Sequence, residues 1–234
     1  MHRTLVALAA IVVAAPVSAQ MKGMGSDPTK TVKGSGELPS GWMMRFDPPR
    51  HAGTPVPPPT AVSVRRKAGG YDFKSGPAAI YYQTKAPATG NYSVSATFSQ
   101  ARDMKHEGYG LVIGGEHLQD STQNYLYFLI RPMDGSVLIN HRNGDDPKKI
   151  VKLVTWTPNA AAHKAKPPTG AATNHLEIRV AGDSVRFRVN GAQVKALSRA
   201  DLQSQGVILD GLAGVRVNHN LDLQVSGFRI THGK

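Results

Sequence analysis

The 234-residue chain contains no cysteine, which excludes a disulfide framework and any thiolate metal site. Its length makes such staples unnecessary, because a chain of this size can bury a substantial core. Acidic residues are also scarce: 16 Asp and Glu stand against 28 Lys and Arg, a formal net charge of +12. The cations are scattered (Arg65-Arg66-Lys67, Lys148-Lys149, Lys164, Lys166, Arg186, Arg188) rather than gathered into one arm or helix. Such a surface favours anionic partners in general, lipid headgroups and acidic polysaccharides among them. Paired acids are missing too. There is no Glu-x-Glu or Asp-x-Asp of the kind that would set two carboxylates on one strand face, so an ordinary two-carboxylate glucanase is not expected. Neither His-x-His nor His-Glu-x-x-His occurs. Asn143, Asp145 and Asp146 carry oxygens that calcium accepts, but they read first as a hairpin turn, so no metal and no cofactor is assigned. Beyond the N-terminus no apolar run approaches the roughly 20 residues that span a bilayer.

What is present begins with an export signature. Met1-His2-Arg3 is a basic start, residues 5–15 are apolar, and Val17-Ser18-Ala19 precedes Gln20 as a small-x-small cleavage site. Residues 1–19 are therefore expected to be a signal peptide, and the protein to be periplasmic or secreted, which makes nucleic acid an unfit partner. Residues 20–37, rich in Gly, Lys, Ser and Thr, read as a tether before one folded unit over 38–234. Residues 47–60 hold Pro48, Pro49, Pro55, Pro57, Pro58 and Pro59, and should drape over the surface, since proline cannot donate to a strand ladder.

From there the pattern has a period of two. Tyr92, Val94, Ala96 and Phe98 share one face, and Leu176, Ile178 and Val180 share another. Asp134-Gly135, Asn143-Gly144, Gly182-Asp183 and Asn190-Gly191 mark tight turns. The last two join three strands into a meander. Only residues 198–203 suggest a helix. Ten or more short strands with turns between them predict an all-β, two-sheet antiparallel jelly-roll sandwich. Residues 157–174 form the one long internal loop, and loops of that length are usually functional or disordered.

Three places in the chain resemble the concanavalin A-like lectin/glucanase superfamily and, within it, the 3-keto-disaccharide hydrolase domain family. They are Leu38-Pro-Ser-Gly-Trp42, Asp183-Ser-Val-Arg-Phe-Arg-Val-Asn-Gly191, and Gly211-Leu-Ala-Gly214 followed by Phe228-Arg-Ile230. The resemblance implies a jelly roll with an open sheet face, and a sugar or glycoside as ligand. Members place a Trp-Asn pair before the Leu-x-Ile strand, where this chain has Thr173-Asn174. No catalytic residue is carried across.

Strand parity then selects the candidate ligand face. If Leu126, Phe128 and Ile130 point inward, Tyr125, Tyr127 and Arg131 point outward, with Asn140 and Arg142 on the next strand. Tyrosine rings offer flat surfaces to sugars, and Arg and Asn supply hydrogen bonds. His219, between Asn218 and Asn220, joins them from a turn. The plainer account is a solvated sheet with ordinary cross-strand pairs. Three functions remain open: an exported carbohydrate-binding domain, degenerate as a glycosidase; an active 3-keto-disaccharide hydrolase; and a basic, envelope-associated structural module.

Overall fold

Alternating strands with one apolar row each must stack those rows against something, and two sheets do so face to face. The computed structural model describes residues 32–49, 53–101 and 106–233. The expected leader, and the tether as far as residue 31, lie outside the described residues. The strands in chain order are β1 (Trp42–Phe46), β2 (Val62–Lys67), β3 (Gly70–Ser75), β4 (Ala79–Ala88) and β5 (Tyr92–Gln100). Then come β6 (Tyr109–Glu116), β7 (Asn124–Arg131), β8 (Ser136–Asn143), β9 (Val151–Pro158) and β10 (Ala172–Ala181). β11 (Ser184–Val189), β12 (Ala192–Ser198), β13 (Gly211–Val217) and β14 (Asp222–His232) complete the set. They form two antiparallel seven-stranded sheets, ordered β1-β4-β13-β6-β7-β8-β9 and β12-β11-β10-β5-β14-β3-β2. This is the expected jelly-roll sandwich.

The meander expected at 176–194 is β10-β11-β12, in register from Leu176 opposite Val189 to Ala181 opposite Ser184. The helix is α1 (Arg199–Ser204), started by Ser198, whose hydroxyl accepts the Asp201 backbone N–H at 3.3 Å. The strand expected from Lys148 begins later: Pro147–Lys149 is a 3-10 turn, and β9 follows from Val151. Proline at the first turn position and Asp146, which accepts the Lys148 N–H at 2.9 Å, favour the turn.

The core is the space between the sheets. Phe128 of β7 meets Phe187 of β11 edge to face at 5.3 Å, and Phe98 of β5 stacks on Tyr109 of β6 at 5.3 Å. Each such ring, fully buried, contributes roughly 1.5–3 kcal/mol through burial alone. Trp42 at the start of β1 closes one end, with Tyr71 and Phe228 each 5.3 Å away. Two of the sequence elements that carry the family resemblance thus touch each other.

The first sheet departs from a one-sided pattern. Its outer face carries a second apolar layer of Ile80, Tyr82, Val112, Leu118, Tyr125, Tyr127, Leu129 and Leu138, with Trp156 and Leu212 packed against it. β6, β7 and β8 are therefore buried on both faces along almost their whole length.

Candidate functional site: a pocket on the outer face of the first sheet

β1 is an edge strand, and Asp47 follows it directly, its N–H bonded to the Ala78 carbonyl at 2.9 Å. Pro48 and Pro49 then take the chain off the sheet, as expected. The proline segment does more than drape. Pro48, Pro49, Thr54, Pro55 and Pro57, with Pro77, wall one side of a cavity of about 740 Å³. Ligand pockets typically run from roughly 300 to 1,000 Å³. Its other linings come from β7 (Tyr127, Leu129), β8 (Leu138, Asn140, Arg142), β13 (Arg216) and Trp156 of β9.

Two glycines shape this trough. Gly108, just before β6, and Gly110 on it are the outward positions before Val112, flanking the inward ring of Tyr109. A Cβ at Gly108 would lie 2.6 Å from the Trp156 ring, and one at Gly110 would lie 2.0 Å from the Phe128 carbonyl oxygen. Trp156 can lean across the sheet only because position 108 has no side chain. Arg131 steadies the indole from over one ring face: its guanidinium sits 4.5 Å from the ring centroid and is paired with Asp134. Burial pushes the Asp134 carboxyl up, but its bonds from Arg131 and Ser136 together outweigh this and hold it at about 2.

The polar end of the pocket is organised by Arg216, only 5% exposed. It donates to both oxygens of Asp47, at 2.8 and 2.5 Å, a bidentate pair. It also donates to the Tyr125 hydroxyl at 3.3 Å and lies 5.0 Å over the Tyr127 ring. Burial pushes the Asp47 carboxyl up, but Arg216, helped by Arg142 and His219, outweighs it and holds the carboxyl below its usual range. Burial alone pulls the Arg216 guanidinium down, and Asp47 with Tyr125 and Tyr127 more than reverses this. The Asn140 amide donates to the Tyr127 hydroxyl at 3.0 Å. On the rim, His219 Nδ1 and Glu107 Oε1 are 3.5 Å apart.

Tyr127, Asn140, Arg142 and His219 line this pocket, whereas Tyr125 and Arg131 do not. The parity that turned Tyr125 and Tyr127 away from the inter-sheet core is correct. Their expected solvent exposure is not: Tyr125 is 1% and Tyr127 5% exposed. The second apolar layer and the Asp47–Arg216 pair cover them. Tyr125 is a buried support for Arg216, and Arg131 a support for Trp156.

Sequence reasoning missed Asp47, Glu107, Trp156 and Arg216. Asp47 and Glu107 come together from distant segments, so no strand spacing could announce them. Gly108-Tyr-Gly110 was the readable signal, since glycine at alternate strand positions marks a close approach.

Other expectations resolve away from the pocket. Of the oxygen-bearing residues at the 143–146 turn, Asp145 accepts from Arg45 at 2.7 Å and from Gln123 at 2.5 Å, and Asp146 from the Lys148 N–H at 2.9 Å. Among the described residues no cluster of His, Asp and Glu is placed to hold a metal ion. The connection expected over 157–174 is shorter, because β9 runs to Pro158 and β10 begins at Ala172, and it is clamped by Asn174 of β10, which bonds the His163 N–H at 2.8 Å and its carbonyl at 3.0 Å. Thr173, where the related family has tryptophan, is exposed on the second sheet and bonded to Ser99 at 3.0 Å. The missing aromatic therefore takes nothing from this pocket.

A scan against protein-family models finds no match, and a search of curated proteins finds none either. Solved structures do match. The carbohydrate-binding module CBM66 from Bacillus subtilis aligns with a TM-score of 0.55 at 12% identity, covering 82% of this chain and 95% of that one. A Bacillus subtilis protein of unknown function with a galectin-like fold aligns at 0.54 and 11%, covering 82% and 89%. Alginate lyase A1-II′ aligns at 0.50 and 10%, covering 72% and 82%. The fold is thus a galectin-like, concanavalin A-like sandwich. Identities this low speak to fold only.

Proposed function

We propose that the chain is an exported carbohydrate-binding jelly roll that seats a saccharide in the outer-face pocket of the first sheet. One observation carries the reading: a single cavity joins an indole and a proline wall to Asp47, Asn140, Arg142 and Arg216. Apolar planes suit the C–H faces of a sugar ring, and a few fixed polar groups suit its hydroxyls. The structural neighbour CBM66, a carbohydrate-binding module by name, supports this choice over other uses of the fold. The leader-like residues 1–19 support a periplasmic or secreted location. The test is a glycan array probed with wild type and Trp156→Ala, each checked for folding by thermal melting. Retention by the wild type and its loss in a folded Trp156→Ala variant supports the reading; equal retention removes the pocket from it.

A second reading, a hydrolase of 3-keto-glycosides, is favoured by Glu107 beside His219 at 3.5 Å on the pocket rim. A carboxylate that orients an imidazole is an arrangement used for general acid–base work. Turnover of a 3-keto-glucoside, abolished in Glu107→Gln, would establish it; no turnover of that probe excludes it. The basic envelope-associated role rests on the cationic outer face of the second sheet, which carries Arg65, Lys67, Lys74, Arg186 and Arg188.

A further inference from the structure

The pocket holds a cation that its own protein groups leave under-coordinated. Arg142 is 3% exposed. Its Nη1 reaches no closer than the Asp145 carbonyl at 3.5 Å, its Nη2 stops 3.7 Å from Asp47, and its Nε has no partner among the described residues. Both oxygens of Asp47 are already taken by Arg216. Two guanidiniums therefore face one carboxylate, which is bonded to one of them. Glu107, the other acid in the lining, lies against His219. A buried cation without a bonded counter-charge is costly, and a pocket that keeps one is matched to a ligand that brings the anion.

Resting on the pocket as a saccharide site, we propose that its ligand is an acidic sugar whose carboxylate is received by Arg142. The planar guanidinium fork fits a carboxylate with two parallel hydrogen bonds. A monoanion suits the position better than a dianion, because Asp47 and Glu107 would repel the second charge. The remaining groups ask for more than an inorganic anion. Asn140 and Asn218 each have an amide oxygen without a partner among the described residues, and those oxygens accept hydroxyl donors. Trp156 and the prolines need an apolar ring face to cover. A uronic acid residue presents all three features: carboxylate, hydroxyls and a C–H face.

The experiment uses matched probes that differ only at the sugar's sixth carbon. Methyl glucuronide is titrated against methyl glucoside, and methyl galacturonide against methyl galactoside, by calorimetry at low and physiological salt, with sodium acetate as the anion alone. At least one uronide should bind about ten- to a hundred-fold more tightly than its neutral partner, as a charged hydrogen-bonded contact implies. Acetate should bind far more weakly than that uronide. Arg142→Gln should bring the ratio of uronide to neutral sugar close to one. If the Arg142→Gln variant fails to fold, the wild-type ratio and Arg142→Lys, which keeps the charge but loses the fork, decide the matter. Equal affinity for acidic and neutral sugars, with binding lost in Trp156→Ala, overturns this proposal and leaves the saccharide reading intact. No binding of any sugar, with Trp156→Ala indifferent, overturns both.

Discussion

The two sheets put the same strand alternation to opposite uses on their outer faces. The second sheet turns Ser93, Ser95, Thr97 and Ser99 of β5 away from the core, beside Thr173, His175, Glu177 and Arg179 of β10. Arg186 and Arg188 lie on one side and Arg65, Lys67 and Lys74 on the other, so this face is hydroxyl-rich, cationic and solvated. The first sheet turns Tyr125, Tyr127, Leu129, Leu138 and Val112 outward and buries them. It then sinks two arginines and a carboxylate among them. Most polar groups on the second sheet meet water, with Ser95 a buried exception. Those on the first sheet must find partners, and Arg142 has only a 3.5 Å contact to the Asp145 carbonyl and a 3.7 Å approach to Asp47.

That contrast can be broken first at the buried pair. Asp47→Asn should cost about 3–5 kcal/mol in denaturant unfolding, because it leaves two buried guanidiniums without a carboxylate. A loss under about 1 kcal/mol would show that this face is solvated like the other. Of comparable size, Tyr125→Ala should remove about 3–5 kcal/mol, the usual cost of deleting a buried ring, while Thr97→Ala stays within about 0.5 kcal/mol. Equal effects at the two positions would erase the distinction.

A smaller effect is expected with pH. His141, buried on the inner side of β8 and bonded to Asn124 at 3.0 Å, has its pKa pulled below the ordinary 6.5 by burial. The unfolded chain then takes up the proton more readily than the folded one. This contribution to stability is complete above about pH 6.5 and falls away as pH drops below it. Stability measured from pH 7 to 5 should therefore decline less steeply in His141→Gln; an unchanged slope would refute the assignment. The smallest change belongs to the second sheet: Glu177→Gln breaks a 3.7 Å pair with Arg188 and should cost no more than about 1 kcal/mol.

Much of this architecture was legible in the chain. Strict alternation in Tyr92–Gln100 and Ala172–Ala181 marks strands with one wet face, and the glycine turns fix the meander. The run Asn-Tyr-Leu-Tyr-Phe-Leu-Ile-Arg of β7 is different: it is apolar at every position from Tyr125 to Ile130. Such continuity signals a strand buried on both sides, and the exposure expected for Tyr125 and Tyr127 overlooked it. Tyr127, Asn140, Arg142 and His219 were found because parity places neighbours on one face. Asp47, Glu107 and Trp156 could not be, because a proline segment, a strand entry and an edge strand bring them in from far along the chain.

The central claim is that ligands meet this protein on the first sheet, around Trp156 and Arg142. Trp156 is one of two tryptophans, the other being Trp42 in the core, so the two indole N–H resonances report on separate places. In an NMR titration with a uronide, the Trp156 indole and the amides of β7 and β8 should shift while the Trp42 indole stays still. Shifts confined to β5, β10 and β11, with Trp156 unmoved, would place recognition on the opposite sheet and contradict the account.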